Sequence, residues 1–194
     1  MLFRSLGHSG ATYEQAREAI AAGARHATHL FNRMPPLTHR VPGLAGAILE
    51  TDAVAAEIVC DGVHVHPAIV RMAAAAKGTS KIMAITDGTA GSGRAPGATA
   101  TLGGRRITVR DAAYLDDGTL AGSVLTMDRA FATLVSMGFS LIEAAQMCAT
   151  TPARELGLHG QGAITPGAVA DLVLLDGGLN VVETYVAGVP SMGV

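Results

Sequence analysis

The sequence predicts an α/β fold in which repeated βα units build a parallel sheet. Three observations carry this. Short apolar runs alternate with longer stretches of helical period, and each run ends in a polar or glycine-rich turn. The 194 residues are 49% hydrophobic and 15% charged, so a sizeable core can be buried. Aromatic residues make up only 4% and Trp is absent, so that core must be packed from small aliphatic side chains, as in α/β interiors.

Taken in order, residues 2–7 read as the tail of a first strand. Thr12 and Gln15 form a capping box: the Thr hydroxyl accepts from the Gln15 backbone N–H while the Gln15 side chain reaches back. The helix it opens should run to residue 22 and stop at Gly23. A second strand fits 25–29. Residues 34–42 contain three prolines and are read as a long loop, the kind of segment that carries function more often than packing. A short helix follows over 43–50, a buried strand over 54–60, a helix opened by Pro67 over 67–76, and a fourth strand over 81–86. Between 88 and 120 the texture turns to Gly, Thr, Arg and Ala, with two apolar alternations that predict an inserted hairpin at about 98–110. Helices are expected over 125–135 and 141–149. Strands over 171–175 and 181–186 then fall outside the alternating unit and predict a small accessory sheet. The domain reading is therefore 1–160 for the βα body and 161–194 for the accessory strands.

A formal net charge of −2 and the absence of any Lys/Arg run exclude an electrostatic footprint for nucleic acid. Cys60 and Cys148 belong to no C-x-x-C pair and are read as inert thiols of a reduced compartment. No apolar stretch reaches the ~20 residues of a membrane span, and the first residues do not form a signal peptide. The expectation is a cytoplasmic protein that binds neither membrane nor nucleic acid.

In βα units ligands gather at the C-terminal ends of the strands, so the polar residues that close each apolar run are the candidates. These are His8, His29, His64 and Asp87. The imidazoles of His8 and His29 suit a divalent zinc or iron ion, and a carboxylate at Asp87 can take a proton from water and return it to a leaving amine. Each residue also has a plain structural reading: a hydrogen-bonded His at a strand end, or an Asp forming a turn before Gly. His26 is expected to face away from the site, His66 and His159 to be solvated or behind it, and His39 is left undecided. Asn32, Arg33 and Arg40 flank or lie in the proline-rich loop, where a guanidinium is either simply solvated or paired with a phosphate. Leu120, Ala121 and Gly122 form a turn before Ser123. That turn either lets backbone approach a ligand or only leads into a helix cap at Ser123.

The motifs Gly-His8-Ser, Thr-His29-Leu-Phe-Asn32-Arg-Met-Pro-Pro, Arg40-Val-Pro-Gly-Leu-Ala-Gly, Asp61-Gly-Val-His64, Thr-Asp87-Gly-Thr and Leu120-Ala-Gly-Ser occur in this order. The segments Ala149-Thr-Thr-Pro-Ala-Arg154 and Gly-Ala-Val-Ala-Asp171-Leu follow them. Together they resemble the N-acetylglucosamine-6-phosphate deacetylases of the amidohydrolase superfamily, over nearly the whole chain. The resemblance implies strands five to eight of a (β/α)8 barrel, with a C-terminal piece of a small β-sandwich. It implies deacetylation of an amino-sugar phosphate at one divalent metal ion, zinc foremost, held by a Glu and two His that match His8 and His29. Asp87 matches the catalytic base and acid. Asn32 and Arg33 match a substrate-contacting pair, His64 a sugar-phosphate contact, and Leu120 to Gly122 a backbone stretch over the sugar. Arg40 matches an arginine that reaches the neighbouring subunit's substrate phosphate, which implies a homodimer. Arg33 departs from the family's usual Ala, which puts the pocket's shape in question.

The strand that bears the family's metal-binding Glu precedes the Gly-His-Ser segment and has no counterpart here. Glu14 and Glu18 lie on the capped helix, not at a strand end, and do not replace it. The start at Met1 is expected to fall inside a longer reading frame, and the isolated chain is expected to bind metal weakly and turn over little or not at all. Two other readings stay open: an amidohydrolase with a different substrate, such as a dihydroorotase-like or imidazolonepropionase-like enzyme, and a non-catalytic half-barrel kept as an interaction subunit. N-acetylgalactosamine 6-phosphate also remains open as the sugar.

Overall fold

The structure, a computed structural model, describes residues 4–191. Four short parallel strands, β1 (Ser5–Leu6), β2 (His26–Ala27), β3 (Ala55–Val59) and β4 (Ile82–Ile85), lie in sequential order in one sheet. Residue 26 sits beside Ser5 and Ala55, and Ile58 beside Ala84. Sequential parallel order requires a crossover between each pair. The crossovers carry α1 (Tyr13–Ala21), α2 (Gly43–Glu50) and α3 (Pro67–Lys77). The α/β fold with a parallel sheet is thus as predicted. The part of residues 2–7 that precedes Arg4 lies outside the described residues.

Local chemistry explains the helix ends. Thr12 Oγ1 accepts from the Gln15 backbone N–H and Gln15 Oε1 accepts from the Thr12 N–H, so both halves of the capping box form. Pro67 opens α3, where its missing N–H costs nothing, and the helix runs one residue beyond the expected 76. Lys77 at its end is buried, and its Nζ donates to the carbonyls of Ile48 and Thr51 at 2.8 and 2.9 Å. One ammonium thereby ties α3 to the otherwise open C-terminus of α2.

Strand alternation divides the sheet into two faces. One face carries Ala27, Ala56, Ile58, Ile82 and Ala84, which pack with Ile20, Leu44, Ile48, Val70 and Leu134 into the main core. Alanines at 16, 45, 47 and 73 fill the gaps between helix and sheet, which is the dense small-residue packing the composition predicts. The opposite face carries polar groups. Ser5, His26, Thr28 and Glu57 line a cleft of about 360 Å³ with Met83 and the helical residues Pro152 and Glu155.

After β4 the chain forms an antiparallel sheet of β5 (Thr99–Leu102), β6 (Arg105–Val109) and β7 (Ala113–Leu115). The expected two-stranded hairpin therefore has a third strand. It was too short to show periodicity. Helix α4 (Met127–Ser136) follows, and α5 (Leu141–Ala145) begins at a second capping box between Ser140 and Glu143. Instead of stopping before Pro152, the helix passes through a π-helical turn, Gln146–Thr150, into α6 (Thr151–Leu156). Thr150 and Thr151 hydroxyls donate to the carbonyls of Gly162 and Thr79, and these long-range bonds hold the segment that proline would otherwise interrupt. A last antiparallel sheet joins β8 (Leu172–Leu175), β9 (Val181–Val186) and β10 (Val189–Pro190). No helix of the described residues is long and apolar enough to cross a membrane.

Candidate active site

Four loops leave the same end of the parallel sheet, and each carries a candidate residue just beyond its strand. His8 follows β1, His29 follows β2, Asp61 and His64 follow β3, and Asp87 follows β4. Three of these backbones turn abruptly: φ is +45° at His8, +29° at His29 and +48° at Asp87. Side chains other than glycine rarely adopt these values, and each costs about 1–3 kcal/mol where the surroundings enforce it. A positive φ also ends strand pairing. This is why the second strand, expected over 25–29, closes at Ala27 and delivers His29 from a turn.

The turns bring two imidazoles together. His8 Nε2 and His29 Nε2 are 2.7 Å apart, with ring centroids 4.6 Å apart. His29 is buried, and its Nδ1 has no hydrogen-bond partner among the described residues. His8 also lines an open cleft of about 360 Å³ with Ser9, Gly10, Arg33 and Pro35. Asn32 closes the turn after His29: its backbone N–H donates to the His29 carbonyl at 2.9 Å, and its side-chain amide reaches the same carbonyl and that of Leu30 at 3.4 Å. Arg33 sits in a further strained turn, with φ +54°.

The stretch Leu120 to Ser123 lies against Asp87. The Ser123 N–H donates to the Asp87 carbonyl at 3.0 Å, and Gly88 and Ser123 form a parallel bridge. Gly122 has φ +91°, and a Cβ there would come within 3.1 Å of the Asp87 carbonyl oxygen and 2.3 Å of Thr89 Cγ2. Only glycine permits this approach. The helix cap expected at Ser123 moves to Thr126, and Ser123 Oγ instead accepts from the Leu125 N–H.

Asp61 and His64 pair within one loop. His64 Nδ1–H donates to Asp61 Oδ2 at 2.6 Å, while Asp61 Oδ1 accepts the backbone N–H of Val63 at 2.9 Å and of His64 at 2.8 Å. Burial alone would raise the Asp61 pKa, but these three bonds outweigh it and hold the carboxyl below its ordinary value. The same ring bond raises the His64 pKa against the opposing effect of burial.

Not every candidate joins the cluster. Arg40 is exposed, and its Nη1 donates to His39 Nε2 at 2.7 Å, which gives the undecided His39 a partner in the proline-rich loop. His66 caps α3, its Nδ1 accepting from the Ala68 N–H. His26 lies on the polar sheet face, its Nε2 3.4 Å from Glu155 Oε2, in the cleft that Glu57 lines and not in the one that His8 lines. The reading of the sequence missed Glu57, a half-buried carboxylate whose pKa is raised by burial and whose electrostatic neighbours include His29, His26 and Asp87. A charge in the middle of the apolar run Ala-Ala-Glu-Ile-Val was the signal available for it.

The described residues contain no group of three or more His, Cys, Asp or Glu disposed to hold a metal ion. Two imidazole nitrogens brought this close do fit two positions of a divalent ion's shell, and at least one further protein ligand would have to complete it.

Residues 4–192 match the amidohydrolase family. The chain belongs to that family. This amidohydrolase chain is 40% identical over 186 residues to an N-acetylglucosamine-6-phosphate deacetylase of Lysinibacillus sphaericus, covering 95% of itself and 48% of the relative. It is also 40% identical over 189 residues to an N-acetylgalactosamine-6-phosphate deacetylase of a Shewanella species, covering 95% of itself and 47% of the relative. Among solved structures, the N-acetylglucosamine-6-phosphate deacetylase of Pasteurella multocida superposes with a TM-score of 0.93 at 36% identity, over 99% of this chain and 51% of that one. A substituted form of the Mycobacterium smegmatis enzyme in complex with N-acetyl-D-glucosamine-6-phosphate gives 0.92 at 39% identity, over 97% and 51%. The chain spans about half the length of the curated relatives it matches.

Proposed function

We propose that this chain supplies the catalytic half of a hydrolase that converts N-acetylglucosamine 6-phosphate to glucosamine 6-phosphate and acetate. In this reading the four-stranded parallel sheet is strands five to eight of a (β/α)8 barrel. Residues 1–160 belong to the barrel, and 161–194 to an accessory β-sandwich. The observation that carries the proposal is the convergence of His8 and His29 at the sheet end that also presents Asp87.

His8 and His29 would hold a divalent ion, zinc foremost, through Nε2. Such an ion, when bound, polarises the acetamide carbonyl and makes water a stronger nucleophile at neutral pH. Asp87 takes the proton from the attacking water and delivers it to the sugar nitrogen as the C–N bond breaks, so that glucosamine 6-phosphate and acetate leave. Asn32, Arg33 and the backbone of Leu120, Ala121 and Gly122 bound the sugar, and His64 takes its phosphate side. Arg40 is exposed and outside the cluster, and in this reading it serves the phosphate of a neighbouring subunit's substrate in a homodimer.

The test is acetate release from N-acetylglucosamine 6-phosphate by the purified chain with Zn²⁺, beside Asp87→Asn, and calorimetry with glucosamine 6-phosphate and unphosphorylated glucosamine. Slow turnover lost in the variant, together with binding that requires the phosphate, is the expected result. Turnover that survives Asp87→Asn, or equal binding of both sugars, overturns it. The absence of a third metal-binding side chain among the described residues favours a second reading, in which the chain is an interaction subunit that does no chemistry alone. That reading predicts phosphate-dependent sugar binding without acetate release.

A further inference from the structure

Asp61 commits both carboxylate oxygens to its own loop, and this decides what His64 offers to a ligand. The loop starts after β3 with Asp61, turns at Gly62 with φ +77°, and folds back so that Oδ1 takes two backbone N–H groups and Oδ2 takes the ring Nδ1–H. Both side chains are almost enclosed, with 5% of His64 and 6% of Asp61 exposed. The ring is therefore fixed with its proton on Nδ1, because an ionised carboxylate has no proton to donate: Nε2 is an acceptor in the neutral ring and a donor in the imidazolium. Nε2 makes no hydrogen bond among the described residues and is the free end of the pair.

We propose that Asp61 is a positioning residue for the anionic end of the substrate: it locks the His64 ring by Nδ1–H and turns Nε2 outward, so that the imidazolium presents Nε2–H as a directed donor to a phosphate oxygen. The inference rests on the sugar-phosphate reading above for the identity of the ligand, but not for the geometry of the pair. The charged and titratable groups facing it are few. Asp87 from the end of β4 favours a protonated ring, as does Asp61 itself. Tyr114 on β7 lies within electrostatic range of Asp61, with Arg110 stacked 5.3 Å over its ring. An imidazolium held this way donates through both nitrogens at once, one to a fixed carboxylate and one outward. The raised His64 pKa accords with that arrangement.

Asp61→Asn is the decisive variant, since the amide oxygen still accepts the two backbone N–H groups while its NH₂ donates to Nδ1 and reverses the tautomer. Long-range ¹H–¹⁵N spectra of the full chain should show Nδ1 protonated on His64 in the unmodified protein and Nε2 protonated in the neutral ring of the variant, with a lower titration midpoint in the variant. Calorimetry with glucosamine 6-phosphate at pH 7 should show affinity falling about fivefold in Asp61→Asn, because the variant ring keeps a neutral Nε2–H and loses only the charge assistance. In a His64→Asn background, the Asp61→Asn change should cost nothing further. An unchanged tautomer and midpoint in Asp61→Asn overturns the proposal, and so does an equal loss of affinity with His64 already removed, since Asp61 would then act only as a turn former. If the unmodified chain does not bind glucosamine 6-phosphate, the sugar-phosphate reading fails, while the spectra still decide the role of Asp61.

Discussion

His8 Nε2 and His29 Nε2 stand 2.7 Å apart, closer than two nitrogens on one tetrahedral ion. With metal–nitrogen bonds of about 2.0–2.1 Å, such a pair is separated by roughly 3.3 Å. The rings must open by about half an ångström to take a metal, a small rotation for two side chains on turns.

Metal affinity should follow from this pair. Isothermal titration with Zn²⁺ is expected to give weak binding by the isolated chain and a further loss of about tenfold or more in either His8→Ala or His29→Ala. One tightly held ion per chain that survives both substitutions would place the metal elsewhere.

Gly122→Ala should disturb Asp87 specifically. The new Cβ meets the Asp87 carbonyl and Thr89 at a backbone with φ +91°, so about 1–3 kcal/mol of stability should be lost in chemical denaturation. Any acetate release should fall more than the folded fraction does. Equal losses would mean the turn is only structural.

Lys77 gives a stability change with a definite sign. Burial pushes its pKa down to about 8, with Asp52 opposing, whereas the unfolded chain keeps a lysine near 10.5. Between these values the unfolded state binds more protons, so the contribution of Lys77 rises with pH across that window and is lost as pH falls through about 8. The difference in unfolding free energy between the native chain and Lys77→Met should widen over this range. A flat difference would show that the ammonium stays charged when buried. At pH 7 the variant should be less stable by about 1–3 kcal/mol, because the Ile48 and Thr51 carbonyls lose their donor.

Ile58→Ala removes a fully buried side chain from the centre of the helix-facing sheet surface. About 2–5 kcal/mol should be lost in urea unfolding, with no change in the His8–His29 pair, since β3 presents that residue to the opposite side from Glu57.

The thiols should be unreactive in the folded state. Burial pushes Cys60 up to about 12 and Cys148 up to about 11, so a disulfide reagent at pH 8 should label Cys148 roughly 100-fold and Cys60 roughly 1000-fold more slowly than in denatured protein. Rapid labelling of either one without denaturant would contradict the burial.

What local chemistry controls was legible in the amino-acid order alone. The Thr12–Gln15 capping box, the Pro67 helix start and the βα alternation depend on neighbours within a turn or two of chain, and all three stand in the structure. The strand-end positions of His8, His29, His64 and Asp87 were legible for the same reason, since each apolar run ends in its own polar residue. The remainder came from long-range packing. The helix expected to end at 149 continues, because hydroxyl bonds from Thr150 and Thr151 to distant carbonyls carry it through a π-turn. β7 has only three residues, and its place comes from pairing with β6. Glu57 looked like an interruption of an apolar run until alternation placed it on the polar face of the sheet. Spacing cannot say that two imidazole nitrogens 21 residues apart meet at 2.7 Å, because the contact depends on positive-φ turns held by the surrounding fold. Local propensity is written in a few adjacent residues, whereas strained turns and long-range pairings exist only when the whole packed structure makes them the lowest free energy.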